Sequence, residues 1–417
     1  MSTFRFLHAA DIHLDSPLTG LARYEGLPVA EVRTATRAAF DNLIRFACEE
    51  AVDFVVIAGD LFDGDWRDMN TGLYFARSMG RLRQAGIPVY LLQGNHDAGS
   101  VLTKSLPWPD NVHRFGTRAP QTFRLEALGV ALHGWSFAHR AAPDNLVPSY
   151  PAADPGSFNI GVLHTSLSGH ADHERYAPCE LADLKARGYD YWALGHVHAF
   201  ERVCDDPAVV FPGNVQGRNI RETGAKGAVL VEVQDRSIAR IERVDFDVLR
   251  WARVVVDCAG CDTVNAVQDR IAAGLSATRA AAEAGRGLVV RVVLEGETLL
   301  ADALADRHSG LRDEARALAA AIADDLWIEK LSLHTRLPAV AEDAEGSDDL
   351  VAMLAGAEHD PALAAALAAD LTPFMTAVAA ALPPEPDDLR HIAASGEWDR
   401  VAAAAASGLR ARLGRVD

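Results

Sequence analysis

Five times along this chain a short apolar run ends in carboxylate, amide or imidazole side chains. Asp11–Ile12–His13 follows FLHAA, Gly59–Asp60 follows FVVIA, and Gly94–Asn95–His96–Asp97 follows VYLLQ. Further on, His164 follows IGVL and Gly195–His196–Val197–His198 follows YWAL. Apolar runs this short, bounded by glycine and polar residues, read as buried strands rather than helices. Loops at the C-terminal ends of neighbouring strands open onto one crevice. The chain is therefore restricted to folds in which several strands end side by side and present these groups together.

Between these strands the spacing turns helical. Val32, Thr36, Phe40, Leu43 and Ala47 recur at helical intervals, so residues 29–50 read as an amphipathic helix and 71–84 as a second. Strands are expected at 4–10, 54–58, 89–92, 131–135, 160–163 and 191–194, with two more near 228–233 and 238–244. Alternating βα units that give way to strands predict an α/β (α+β) domain of stacked sheets flanked by helices. From about Leu249 the order strand (253–256), helix (264–282), strand (287–294), helix (311–323), strand (327–333) fits a small βαβαβ module. AVAEDAEGSDD reads as an acidic linker, and the Ala-rich remainder as helical. The expected domains are residues 1–247, 248–338 and 339–417.

Charge narrows the function classes. The net charge of −18 over 417 residues argues against a protein that simply coats nucleic acid. Residues 341–417 carry 14 Asp and Glu against 5 Arg, so this last stretch is poorly suited to touching DNA. Bound cations can still be the largest local charges in a site. The five cysteines are odd in number and irregularly spaced, which excludes a disulfide framework, and Cys258 and Cys261 read as a structural pair. No stretch approaches the ~18 apolar residues of a membrane span, and Phe4–Ala10 leads straight into the first polar cluster, so a cytoplasmic location is expected.

The residue types at the strand ends suit hydrolysis of a phosphate ester. That reaction needs the charge on the phosphoryl oxygens neutralised and a hydroxide at neutral pH, and two divalent ions about 4 Å apart supply both. Carboxylate, amide and imidazole donors suit Mn, Fe, Zn or Ni. Asp11 and His13, at alternate positions, can curl around one ion, as can His196 and His198, and Asp60 is the natural bridge. Other tempting residues read as packing or loop: His8 and His133 as satisfied core histidines, Phe62, Trp66, Trp251 and Trp327 as packing residues, His170 and His173 as a surface loop.

DxH, GDxxD, GNHD, a lone strand-end His and GHxH, in this order, resemble the calcineurin-like metallophosphoesterase superfamily. The resemblance implies a four-layer sandwich of two mixed β-sheets flanked by helices, with the βαβαβ module as a cap domain and a helical C-terminal tail. It implies that Asp11, His13, Asp60 and His198 hold one metal, and that Asp60, Asn95, His164 and His196 hold the other. His96 would stand outside the ligand set, contacting the phosphate or protonating the leaving oxygen. Asp63 would orient it. Gly64 stands where the protein-phosphatase branch has Arg, which disfavours that branch.

ADIHLDSPL and AGDLFD look like the DNA-repair exonuclease branch, the SbcD-like nucleases, and FPGNVQGRNIRETGAKGAVLVEV is similar to its YhaO-like subgroup. That branch implies a DNA exonuclease or endonuclease preferring Mn²⁺. It also implies a homodimer that works with a separate SMC-like (SbcC-like) ATPase, which the C-terminal helices would dock. Arg218, Arg221 and Lys226, just past the His196/His198 loop, could contact a DNA backbone or pair with Glu222 and others. Two further functions are weighed: a small-molecule phosphoesterase acting on a cyclic nucleotide or phosphomonoester, and a DNA-end tether for the ATPase.

Overall fold

The computed structural model describes residues 3–16, 29–62, 69–99, 108–168, 176–338, 356, 360–381 and 396–413. Expectations for Asp63, Trp66, His170 and His173 fall outside the described residues.

The chain runs β1 (Thr3–Ala9), α1 (Val29–Glu49), β2 (Phe54–Ala58), α2 (Met69–Gln84), β3 (Val89–Leu92), α3 (Asn95–Gly99), β4 (Val112–Arg114), β5 (Gln121–Leu125), β6 (Val130–Gly134) and β7 (Phe158–His164). Then come α4 (Leu181–Ala186), β8 (Tyr191–Gly195), β9 (Glu201–Asp205), β10 (Ala208–Phe211), β11 (Gly227–Gln234) and β12 (Ser237–Asp245). The third stretch is β13 (Leu249–Asp257), α5 (Val264–Ala281), β14 (Gly287–Glu297), α6 (Ala301–Asp306), α7 (His308–Ile322) and β15 (Leu326–Arg336), followed by α8 (Pro361–Ala381) and α9 (Trp398–Leu413).

Two six-stranded sheets form the body, with strand orders β12-β11-β1-β2-β3-β4 and β5-β6-β7-β8-β10-β9. Both are mixed: β1 pairs β2 in parallel and β11 antiparallel, and β6, β7 and β8 run parallel while β5 pairs β6 antiparallel. Alternation along each strand sorts side chains into layers. Phe4 and Phe6 of β1, Phe54 and Val56 of β2, Ile160 of β7 and Tyr191 of β8 fill the space between the sheets. Leu7, Ala9, Val55 and Ile57 face the other way, onto Phe40 and Leu43 of α1 and Phe75 and Met79 of α2. On the far side of the second sheet, Trp192 and Leu194 pack with Leu184 of α4. Helices, sheet, sheet and outer cover make the four layers. His8 joins the two sheets across the middle: its Nε2 donates to the Leu194 carbonyl at 3.1 Å and its Nδ1 accepts from the Tyr191 hydroxyl at 3.0 Å. His133 is likewise satisfied, by Thr122 and Asn159.

The contacts divide the chain into two units. The first comprises residues 1–256, 268–293 and 310–332, and the second comprises 257–267, 294–309 and 333–417. In the first, Trp251 and Leu249 pack with Val289, and a buried ion pair joins Arg291 to Glu329. In the second, α8 and α9 pack on each other. No helix among the described residues is long and apolar enough to cross a membrane.

Candidate metal centre

The five polar clusters do meet. β1, β2 and β3 are parallel neighbours in one sheet, β7 and β8 in the other, and all five end at the same edge of the sandwich. The loops after β1 and β2 continue the parallel pairing beyond the strands: the backbone N–H groups of Asp11, His13 and Leu14 donate to the carbonyls of Gly59, Asp60 and Leu61 at 3.0, 3.0 and 2.9 Å.

The backbone is strained at this edge. Asp11 (φ 51°), His13 (φ 47°), Asp60 (φ 53°) and His196 (φ 101°) all have positive φ. Non-glycine residues rarely adopt such angles, each costs about 1–3 kcal/mol, and they cluster where surrounding structure over-determines them for function. Gly59 has φ 99°, and a Cβ there would lie 2.4 Å from His164 Nδ1, so only glycine lets the imidazole lie across this turn.

The side chains converge in two overlapping groups. Ligand atoms of Asp11, His13 and His198 lie within 4.8 Å of one another, and so do those of Asp11, Asp60 and His164. Asp60 Oδ2 spans the two groups, 4.0 Å from His13 Nε2 and 3.3 Å from His164 Nε2. Asn95 Oδ1 is 3.0 Å from His164 Nε2. The His196 ring stacks edge-on against His164 with centroids 5.3 Å apart, and its backbone N–H donates to Asp11 Oδ2 at 2.9 Å. All seven residues that the resemblance names as ligands are thus brought together. His96 is exposed, with its ring 5.0 Å from that of His13.

The donor set is built for a cation. His164 Nδ1 donates to the Ala58 carbonyl at 2.9 Å, so when the ring is neutral its lone pair is on Nε2. Nε2 faces two acceptor oxygens, from Asp60 at 3.3 Å and Asn95 at 3.0 Å, an arrangement that calls for positive charge, as a proton on Nε2 or as a cation in its place. The electrostatics agree. Burial would raise the Asp60 carboxyl, but His164, His13 and His96 outweigh it and hold it far below the usual carboxylate range. Burial would lower His164, and the Asp60 and Asp11 charges instead push it up. A divalent ion would meet the same demand for positive charge.

The comparisons with known proteins come down on the same chemistry. Residues 4–200 match the calcineurin-like phosphoesterase family, and residues 251–336 match the middle domain of the metallophosphoesterase YhaO. YhaO of Bacillus subtilis is 37% identical over 300 residues, covering 71% of this chain and 72% of that protein. The chain belongs to the calcineurin-like metallophosphoesterase family, in its YhaO group. Lower similarity extends to the DNA double-strand break repair protein Mre11. The Methanopyrus kandleri protein is 28% identical over 61% of this chain and 60% of its own length, the Aeropyrum pernix protein 27% identical over 70% and 73%.

In this metallophosphoesterase two further carboxylates hold the site's loops and ligands, Asp97 and Glu222, both named in the sequence but given no role at the site. Asp97 accepts backbone N–H groups from Leu61, Phe62 and Gly94 at 3.1, 2.9 and 3.2 Å, locking the loop after β3 to the loop after β2. Burial and the Asp60 charge push its carboxyl up to about 7 despite those three donors. Glu222 accepts from His198 Nδ1 at 2.8 Å. Burial would raise its carboxyl, but Arg218 and His198 bring it well below the ordinary range. A carboxylate at the end of GNHD is visible in the sequence, but its partners are backbone groups. Glu222 had only the signal of lying among the cations Arg218, Arg221 and Lys226.

Those cations part company in the fold. Arg218 donates to Glu222 Oε1 at 2.9 Å, and buried Lys226 donates to the His198 carbonyl at 2.7 Å, so both brace the His198 loop from behind. Arg221 is exposed.

Proposed function

We propose that this metallophosphoesterase is a two-metal phosphodiesterase that cuts DNA. The observation that carries the reading is the pair of overlapping donor groups on Asp11, with Asp60 spanning both and His96 at the exposed edge. Asp11, His13, Asp60 and His198 would hold one ion, and Asp60, Asn95, His164 and His196 the other. Bound divalent ions, Mn²⁺ being the expected metal, supply charge neutralisation at the phosphoryl oxygens and activation of water. The chain's own residues do the rest. The left-handed backbone of Asp11, His13 and Asp60 aims their side chains into one point, and Asp97 keeps the loops after β2 and β3 in register. His96, outside the ligand set and accessible to substrate, protonates the departing ester oxygen, with Asp63 as its orienting carboxylate.

DNA as the substrate draws its support from the Mre11 relatives, which are DNA double-strand break repair proteins. On this reading residues 1–247 form the nuclease domain, 248–338 a cap and 339–417 an arm. The arm docks a separate SMC-like ATPase, and the protein works as a cytoplasmic homodimer in DNA repair. Arg221, next to Glu222 in the chain and exposed, is the residue of its group left to meet a backbone phosphate.

The test is degradation of linear DNA by the purified full-length protein with Mn²⁺ and after chelation. Cleavage that needs the metal and is lost in Asp60→Asn and His96→Ala supports the reading. Metal-loaded protein that never cuts DNA yet hydrolyses a nucleotide monoester would establish the small-molecule alternative. The net charge of −18 and the inward engagement of Arg218 and Lys226 favour that second reading. Absence of DNA binding even at low salt would point the same way.

A further inference from the structure

His198 Nδ1 lies 2.8 Å from Glu222 Oε1, across 24 residues of chain. The carboxylate is 8% exposed. Its other positions are filled: Arg218 Nη2 donates to Oε1 at 2.9 Å, and the Arg218 backbone N–H and Asn214 Nδ2 donate to Oε2 at 2.7 and 2.9 Å. An ionised carboxylate only accepts, so the hydrogen in the 2.8 Å contact belongs to Nδ1, and Nε2 keeps its lone pair. Nε2 is the atom that faces Asp11 Oδ1, at 3.7 Å. Arg218 Nη2 also approaches Nδ1 at 3.4 Å. That distance is long for a hydrogen bond, and the same nitrogen already donates to Glu222 at 2.9 Å.

We propose that Glu222 is a positioning residue of the metal centre: it fixes His198 in the Nδ1–H tautomer with Nε2 aimed at the ion, while Arg218 and Asn214 hold Glu222 in turn. The proposal rests on the reading of His198 as a ligand. An imidazole ligand gains orientation and basicity from a carboxylate on its far nitrogen, and loss of such a partner weakens metal binding about 10–100-fold.

The loop that carries Glu222 is itself hung on the strand that opens the middle domain. Trp251 Nε1 donates to the Gly217 carbonyl at 3.0 Å, and Gln216 Nε2 to the Leu249 carbonyl at 2.6 Å. Gln216 Oε1 accepts from the Val248 N–H at 3.0 Å. The Lys226 ammonium secures the other side, on the His198 carbonyl. The segment from Asn214 to Lys226 therefore works as a brace between the start of β13 and one ligand of the metal centre.

The deciding measurement is the tautomer of His198 in metal-free, full-length protein in alkaline solution. Imidazole ¹⁵N–¹H correlation reads it, with His198 assigned by its disappearance in His198→Ala. The Nδ1–H form is expected in the wild type, and loss of that preference in Glu222→Gln. Mn²⁺ titration by calorimetry runs beside it. Glu222→Gln is expected to bind about 10–100-fold more weakly and Glu222→Asp to recover part of the loss. A wild-type His198 in the Nε2–H form overturns the proposal whether or not any variant folds. If His198→Ala weakens Mn²⁺ binding and Glu222→Gln does not, the positioning role falls and the ligand reading stands. If His198→Ala leaves Mn²⁺ binding unchanged, the ligand reading falls and the proposal with it.

Discussion

Asp97 Oδ1 accepts the backbone N–H of Phe62 at 2.9 Å, and through its other oxygen those of Leu61 and Gly94. One side chain thus ties the loop holding Asn95 and His96 to the loop holding Asp60. Removing it strands buried donors, at about 1–3 kcal/mol each before relaxation. Asp97→Ala is expected to lose at least about 2 kcal/mol in urea unfolding and most phosphoesterase activity. Asp97→Asn, which keeps an acceptor oxygen, should lose less of both. Wild-type stability in Asp97→Ala would show that the loops hold without it.

His96 is exposed beside His13, and the acid role proposed for it makes the substrate's leaving group diagnostic. Proton donation of this kind contributes roughly 10²–10⁴-fold. His96→Ala should lose about that much on DNA, whose alkoxide leaving group needs a proton. It should lose far less on bis(p-nitrophenyl) phosphate, whose phenolate leaves without one. Mn²⁺ affinity should be unchanged. Equal losses on the two substrates would refute the acid role.

How much of this was legible in the sequence is best seen residue by residue. The seven expected ligands meet because each follows an apolar run, and a strand's end is a position that sequence alone specifies. Asp97 and Glu222 were hidden for a different reason: their work lies in contacts 35 and 24 residues away that no local pattern encodes. The strands β5 and β9 escaped notice because their side chains are mostly half-exposed or exposed, without a clear apolar face. For Arg218 and Lys226 the sequence left two roles open, a DNA backbone or pairing with Glu222 and others, because charge is visible in a sequence and burial is not; Arg218 takes the second.

His8 makes stability depend on pH. Burial, against the pull of the Leu194 carbonyl, pushes its imidazole down from 6.5 to about 3. The unfolded chain therefore takes up this proton first as pH falls. The stability from neutral His8 is complete above about 6.5 and is lost progressively toward 3, at about 1.4 kcal/mol per pH unit. His8→Gln should flatten the stability profile between about pH 6 and 4 by that slope relative to wild type. Parallel profiles for the two proteins would exclude His8 as a source of acid sensitivity.

Arg291 on β14 donates from Nε to Glu329 Oε2 on the neighbouring β15 at 2.7 Å, with 3% and 3% of the two residues exposed. Desolvating two charges costs about what their attraction returns, but leaving one of them alone does not. Glu329→Ala should cost about 3–5 kcal/mol because it abandons a buried guanidinium. Replacing both, with Arg291→Met and Glu329→Leu, should be close to neutral or even stabilising by about 1–4 kcal/mol. Urea unfolding of the single and double variants gives the comparison. A double variant as unstable as Glu329→Ala would mean that the pair is worth more than the apolar packing that replaces it, reversing the expected order.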